Sequence, residues 1–426
     1  MKRRQFMQAL GGALPMAAVL GSTVARAQAK TQARVVVVGG GYGGATAAKY
    51  LRLWGGGKID VTLVEPNPHF ISCPLSNLVL GGFRQMADIT LTYDNLVKRH
   101  GVKLVRDYAQ AVDKERRTVK LAGGQSLGYD RLVLSPGVDF LWEQLPGMNT
   151  ADAQQKIMHA WKAGPQTVTL RKQLEAMPDG GTFIITIPLA PYRCPPGPYE
   201  RACQVAAYFS RYKKKSKVMI LDANDDVLSK GALFKKAWAE QYPGIVEYVP
   251  KFVTADVDVA GNTVISDFGD KIAGAVMNVI PPQRAGSIAV QAGAANMNKR
   301  WCEVDFLTFE STQAKNIHVL GDAIQVAPLM PKSGHMANQH AKVCAAAVVD
   351  LLNGDTPNQA PMINNTCYSY VSDKEVVHVA SVHAYSAEKK TFLTVPGAGG
   401  LSASATEAET RYAESWAQNI WADTLD

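Results

Sequence analysis

The run Arg34-Val-Val-Val-Val-Gly-Gly-Gly-Tyr-Gly-Gly-Ala-Thr-Ala-Ala-Lys-Tyr-Leu leaves this chain few folds to choose from. Four valines, Val35 to Val38, read as a buried strand. They run into Gly39-x-Gly41-x-x-Gly44, and a small-residue helix follows to about Leu53. A second strand, Asp60 to Val64, ends at Glu65. Each piece alone is weak evidence. Strand, glycine triplet, helix, strand and terminal acid in one unit specify a nucleotide-binding βαβ unit. Gly39 permits the tight turn, Gly41 lets backbone approach a pyrophosphate, and Gly44 lets the helix pack close on the strand. Glu65 is placed to accept hydrogen bonds from an adenosine ribose.

A second unit starts the same way and then departs. An apolar run, Thr182 to Ile187, precedes a helical pattern from about Tyr199, and the strand Lys217 to Asp222 ends in an acid. The doubly wound framework survives, but the turn between strand and helix reads Pro-Leu-Ala-Pro-Tyr-Arg-Cys, ending at Cys194. Prolines and side chains there cannot close around a pyrophosphate as glycine backbone does. The segment therefore reads as lacking an NAD(P)H site, and the electron donor is something else.

Further stretches are similar to motifs of flavoproteins with two dinucleotide-type domains. Tyr129 to Gly137 reads as a strand ending in the small turn Ser135-Pro136-Gly137. Asn316 to Ala323 matches the second flavin motif, with Gly321 and Asp322 placed at the ribityl and phosphate region. A long helix is expected from Ser333, its N-terminal dipole directed at the flavin. Together these favour FAD in the first site. The fold class expected is α/β: two doubly wound, Rossmann-like domains plus a C-terminal α+β interface domain. The expected boundaries are 1–29 for a signal, 30–145 with 287–355 for FAD, 146–286 for the NADH-binding-like domain and 356–426 for the interface domain.

With 426 residues there is length for two or three cores. Arg3-Arg4-Gln5-Phe6, an apolar stretch from Ala9 to Leu20 and Ala25-Arg26-Ala27 read as a twin-arginine export signal, implying a periplasmic protein. Without residues 1–27 the formal charge falls from +8 to +4. That excludes a nucleic-acid binder, and Lys213-Lys214-Lys215 reads as a solvated turn. No other stretch reaches the ~20 apolar residues of a membrane span. From Leu401 onward five acids face one base, Arg411, which speaks against membrane binding. The terminal helix, Ala408 to Ile420, would carry Tyr412, Trp416 and Ile420 on one face, more simply covering its own domain than a partner.

Six cysteines are present. Cys203 and Cys344 sit in small-residue helical runs and Cys302 beside Trp301, all reading as core. Cys73, Cys194 and Cys367 lie in turns. Cys194 precedes a helix start, where the dipole is expected to lower a thiol pKa. An ordinary stabilising disulfide is the other reading for Cys194 and Cys367. Glu200 is either a proton relay or an acid stabilised by the helix dipole. The sequence holds no Cys-x-x-Cys-His, so the chain carries no covalent haem of its own, and no metal site is read.

With those residues in view, the sequence resembles the flavoprotein subunit of flavocytochrome c sulfide dehydrogenase, of the flavoprotein disulfide reductase group and close to sulfide:quinone oxidoreductases. The likeness rests on the glycine unit with Glu65, Ser72-Cys73-Pro74-Leu75-Ser76-Asn77, and Tyr192-Arg193-Cys194-Pro195-Pro196-Gly197-Pro198-Tyr199-Glu200-Arg201. It continues through Val279 to Gly286, Gly321-Asp322 and Thr366-Cys367-Tyr368-Ser369. The resemblance implies a thioether from Cys73 to the flavin 8α carbon, a redox-active Cys194–Cys367 pair, and Glu200 as the acid that handles protons. Pro281-Pro282-Gln283-Arg284 and the helix from Ser333 would line the isoalloxazine. Hydrosulfide would open the disulfide, zero-valent sulfur or polysulfide would leave, and electrons would pass through FAD to a separate cytochrome c subunit in a heterodimer. Arg193 and Arg201 are candidates for a positive field near the pair, with surface placement the simpler reading. Two alternatives stand beside this: a sulfide:quinone oxidoreductase, and an auxiliary sulfur-oxidation flavoprotein whose disulfide is only structural.

Overall fold

The valines of the opening strand are buried on both faces, which suits only a sheet covered by helices on each side. In the computed structural model, which describes residues 32–426, that strand lies inside a six-stranded sheet. Its order is Glu310–Ser311, Ala314–Val319, Arg131–Leu134, Arg34–Val38, Asp60–Val64 and Lys103–Val105. All neighbours run parallel except the first pair. The register sets Val38 opposite Val64 and Leu134, and Leu134 opposite Val319. The next residues, Gly39, Glu65, Ser135 and Leu320, therefore emerge at one end of the sheet. That is where ligands of open parallel sheets bind.

A second parallel sheet runs Val246–Val249, Lys217–Asp222, Thr182–Ile187 and Val276–Val279. Ile187 faces Asp222 and Thr186 faces Val279, so the turn at Pro188 and the Ile280–Pro282 stretch leave it together. The helix Gly197–Tyr212 follows that turn, with Glu200 in its first turn. Tyr199, Cys203, Val205, Ala206 and Phe209 are buried along it. The long helix Gly334–Asn353 is capped by Ser333, whose Oγ accepts from the Met336 amide at 3.0 Å.

The C-terminal segment is antiparallel, as no dinucleotide unit is: Met362–Tyr370, Val376–Ser386 and Thr391–Leu401, then the helix Glu407–Leu425. The helix packs on Tyr42–Trp54. Its end is tied in by Asn338 Nδ2 to Asp423 at 2.7 Å and by Lys49 Nζ to the Ala422 and Asp423 carbonyls. Of the expected face, Ile420 is buried and Trp416 packs against His335 and Tyr368, but Tyr412 does not face inward. Tyr412 is 59% exposed, while Ala413, Ala417 and Ile420 are buried. The small alanines let the helix approach closely, and the tyrosine one residue before Ala413 is turned outward. The three lysines at 213–215 lie at the exposed end of Gly197–Tyr212, in a turn as expected. Residues Ala33–Asp426 form one compact unit, and none of its helices is long and apolar enough to cross a membrane. The export-signal residues, Arg3 and Arg4 among them, lie outside the described residues.

Candidate active site

The first glycine turn has the geometry of a cofactor cradle. Gly39 sits at φ +97°, and a Cβ there would lie 2.3 Å from the Ser135 carbonyl oxygen. At Gly44 a Cβ would strike the Gly39 carbonyl. Gly41 differs: no protein atom lies within 4 Å of where its Cβ would be. Its absent side chain leaves open space, the space a pyrophosphate needs. One oxygen of the Glu65 carboxylate accepts from the Gly40 amide at 2.7 Å. The other accepts from Asn67 N and Nδ2 at 2.8 and 2.6 Å. Glu65 thus closes the turn on itself and keeps an acceptor position on the oxygen facing Gly40. Ser135 and Gly137 follow the neighbouring strand, Gly137 at φ +65° and Ser135 donating its amide to Val38 at 2.9 Å. Gly321 sits at φ +73°, and a Cβ there would lie 3.3 Å from Ala337 Cβ and 3.7 Å from Ser135 Oγ.

Two buried polar atoms near this cradle have no partner among the described residues: Asp322 Oδ1 and Gln283 Nε2. Orphaned buried groups are costly unless something binds them. One is an acceptor and one a donor, as a ribityl chain and a flavin ring require. The cradle and these two atoms fit FAD. Gln283 Oε1 also accepts from the Arg193 amide at 3.0 Å, which ties the 281–284 segment to the cysteine turn.

The second turn offers no such cradle. Asp222, at the strand end where a ribose would be held, is fully buried and already bonded. Tyr199 Oη and Tyr248 Oη donate to it at 2.7 and 3.1 Å, and Asn224 donates through N and Nδ2 at 2.9 and 2.8 Å. The buried Tyr192 fills the turn, its hydroxyl donating to the Pro195 carbonyl at 3.3 Å. Cys194 ends the turn at φ +57°, its amide donating to the Lys332 carbonyl at 2.7 Å. A Cβ on Gly197 would lie 2.9 Å from Cys194 Sγ and 2.8 Å from the Trp161 ring, so glycine is required beside the sulfur.

Cys194, Cys367 and Ser333 line one cavity of about 140 Å³ with Pro195, Leu228 and Asn365. Three distant segments are brought together there: the second turn, the antiparallel strand Met362–Tyr370 and the cap of the long helix. All six cysteines are free thiols in this structure. Burial, Cys367 and Glu200 push the Cys194 thiol up, against Arg193 and Lys230. Burial likewise raises Cys367, against Lys230. The expected lowering at Cys194 is thus overturned: loss of solvent outweighs the helix end. Burial raises Glu200 to about 7, against Lys230, the Tyr370 backbone, Asn77 and Arg201. Its charge is sensed at both cysteines, so the expected trio is electrostatically one site.

Cys73 lies at the same place from the other side. Arg193 Nη2 donates to Cys73 Sγ at 2.6 Å, and Arg193 Nε is 3.8 Å from Asp322 Oδ2. One arginine therefore spans the Cys73 turn, the second flavin motif and the residue beside Cys194. Arg201 is 3% exposed and donates to Asn77 Oδ1 at 3.0 Å and Asn278 Oδ1 at 2.8 Å. Asn77 also donates to the Gly197 carbonyl at 3.2 Å, so the Ser72–Asn77 motif docks directly on the cysteine helix. Surface placement of Arg193 and Arg201 is overturned: Arg201 is buried, and Arg193 is largely covered. Cys203, Cys302 and Cys344 are buried, as core cysteines should be; Cys203 accepts from Trp238 Nε1 at 3.3 Å.

Sequence reasoning missed two lysines. Lys332, 3% exposed, donates to the Asp322 and Ile324 carbonyls at 2.8 and 2.6 Å, its ammonium 3.7 Å from the Trp301 ring centre. Burial takes it down to about 7. Lys230, 5% exposed, donates to the Cys367 carbonyl at 2.9 Å. No motif marks either residue, since each reaches the site through tertiary packing.

Glycine cradle, paired sheets and cysteine turn together define a flavoprotein of the pyridine nucleotide-disulphide oxidoreductase class, whose family model matches residues 33–170. Two narrower models match the rest: "Sulfide dehydrogenase [flavocytochrome c] flavoprotein chain, central" over residues 167–281, and "Flavocytochrome c sulphide dehydrogenase, flavin-binding" over residues 359–425. A sulfide dehydrogenase [flavocytochrome c] flavoprotein chain from Chlorobaculum thiosulfatiphilum is 63% identical over 46 residues, 11% of this chain and 94% of that one. A mitochondrial sulfide:quinone oxidoreductase from Dictyostelium discoideum is 24% identical over 320 residues, 72% of this chain and 68% of that one. The solved sulfide:quinone oxidoreductase of Aquifex aeolicus shares the fold, with a TM-score of 0.76 at 17% identity over 92% of this chain and 91% of that one. The chain belongs to the family of flavocytochrome c sulfide dehydrogenase flavoprotein chains. It is a FAD-binding, sulfide-oxidising oxidoreductase.

Proposed function

We propose that the chain oxidises hydrosulfide through a Cys194–Cys367 disulfide and delivers electrons, by way of FAD, to a cytochrome c subunit. The observation that carries this reading is the meeting of Cys194 and Cys367 in one small cavity beside Glu200. Hydrosulfide attacks one sulfur of the disulfide; the S–S bond breaks, a new S–S bond forms, and the other cysteine leaves as thiolate. A second hydrosulfide takes the sulfane sulfur as HSS⁻ and returns the first cysteine as a thiol. Per cycle two hydrosulfides yield one HSS⁻, one proton and two electrons. Glu200, poised near neutrality, takes up and releases that proton. Bound FAD would supply a two-electron acceptor for the thiols that can also release electrons one at a time.

Gly39, Gly41, Gly44, Glu65, Ser135, Gly137, Gly321, Asp322 and Ser333 would hold FAD, and Cys73 would bond to it covalently. The Arg193 contact supports this role for Cys73, because it places the sulfur beside Asp322 and the cysteine turn. The filled second turn and the consumed Asp222 support a chain that uses no NAD(P)H. Export by the Arg3-Arg4 signal would place it in the periplasm, where a soluble haem partner is at hand. The sulfide:quinone oxidoreductase relatives favour one second reading, a quinone acceptor. Steady-state reduction of cytochrome c against a soluble quinone analogue separates the two. Sulfide-dependent cytochrome reduction by the chain with its haem subunit is expected; quinone reduction alone would discard the cytochrome reading.

A further inference from the structure

Lys230 is a buried ammonium without a carboxylate at ion-pair distance among the described residues. Its bonded acceptor is the carbonyl of Cys367 itself, at 2.9 Å, and the Cys367 side chain also lies within its hydrogen-bonding reach. The backbone at Lys230 is left-handed, φ +59°, directly before the helix Gly231–Gln241. Leu228 and Ser229, the two residues before it, line the same cavity as Cys194 and Cys367. The loop thus carries its one cation to the sulfur pair at some cost in backbone strain and desolvation. Such a group persists where a negative charge arises during turnover.

The other two cations near the pair are committed elsewhere. Arg193 is engaged with Cys73 and Asp322, and Arg201 with Asn77, Asn278 and the His159 and Ala160 carbonyls. That leaves Lys230 facing Cys367 and makes the two cysteines unequal. We propose that Lys230 is the cation that holds the Cys367 thiolate released when hydrosulfide opens the disulfide, so that the incoming sulfur goes to Cys194. The inference rests on the disulfide reading above. In the step, HS⁻ adds to Cys194 Sγ, the Cys194–Cys367 bond breaks, and its electron pair remains on Cys367 as thiolate beside the ammonium. One negative charge enters and one remains. Burial alone would disfavour a thiolate at either position, and Lys230 is the leading charge that opposes it at Cys367.

The test uses the flavin-loaded chain, first mapped for disulfides under non-reducing conditions, then reduced with a phosphine and alkylated with iodoacetamide at one neutral pH. Peptide masses give separate rates for Cys194 and Cys367. Cys367 is expected to react faster, and Lys230→Met is expected to slow Cys367 by about tenfold while changing Cys194 much less. Lys230→Arg should restore the rate. Lys230→Gln, which keeps a donor for the Cys367 carbonyl but no charge, should behave like Met and stands in for it should Met fail to fold. A brief sulfide pulse should leave the added sulfur on Cys194. Unchanged Cys367 reactivity in the Met or Gln variant, equal losses at both cysteines, or added sulfur on Cys367 would overturn the role of Lys230. A wild-type map without the Cys194–Cys367 bond would instead overturn the underlying reading, and the inference with it.

Discussion

The two strand-to-helix turns, at Gly39–Gly44 and at Pro188–Cys194, occupy equivalent places in two parallel sheets and have opposite contents. In the first, a missing side chain leaves room, and the acid that follows, Glu65, keeps an acceptor position. In the second, Tyr192 fills the room and Asp222 is bonded on every side. The difference shows how one framework serves two tasks. Open backbone binds a large anionic cofactor, while a filled turn spends its volume on positioning one sulfur atom.

Removing the sulfur from the second turn should have the largest effect. Cys194→Ser, or Cys367→Ser, is expected to lower sulfide-dependent bleaching of the flavin by about 10³-fold or more while flavin content stays normal, read by stopped-flow absorbance. Equal bleaching would reduce the turn to a structural element. Filling the first turn should act on the cofactor alone. The Cβ of Gly41→Val enters open space, so the chain should fold with stability within about 0.5 kcal/mol of wild type yet purify without FAD. Gly44→Ala, whose Cβ would strike the Gly39 carbonyl, should fail to fold instead. Melting curves and flavin absorbance distinguish the pair, and a Gly41→Val protein that keeps FAD would break the comparison.

Glu200→Gln should have an intermediate effect, a loss of about 10²-fold in bleaching rate that flattens the pH dependence near 7. Its stability sign is fixed by linkage. The folded pKa is raised from 4.5 to about 7, so the carboxyl's contribution is fully present below 4.5 and is lost as pH rises through 7. The Gln variant should therefore gain on wild type by a few kcal/mol at most between pH 5 and pH 8, read as a Tm difference that widens with pH. A constant difference would place Glu200 in a solvated setting.

The sequence displayed the frame well because its signals are local. Valine runs, glycine spacing and strand-end acids lie within twenty or so residues of one another, and the strands Asp60–Val64, Thr182–Ile187 and Lys217–Asp222 stand where the pattern puts them. The cysteine motifs pointed to Cys73, Cys194 and Cys367 through resemblance, and the structure sets Cys194 and Cys367 on one cavity. The pKa direction at Cys194 was not legible, because the segments that gather around it, 331–333, 365–367 and 379–381, lie far away in the sequence. Lys230 was not legible either: it stands 36 residues from Cys194 and 137 from Cys367 in a loop without a motif. Tyr412 misled because periodicity marks a helix face without saying that alanines, not the aromatic, make the contact.

The cavity at the cysteine pair is also a measuring device. At about 140 Å³ it holds roughly four guests the size of a water molecule, far below the ~300 Å³ at which ordinary small-molecule pockets begin. On the reading proposed above, a room of that size would take hydrosulfide and a few linked sulfur atoms between Cys194 and Cys367. It would be too small for a tripeptide thiol such as glutathione, so the walls would sort inorganic sulfur from the organic thiols able to reduce a Cys194–Cys367 disulfide.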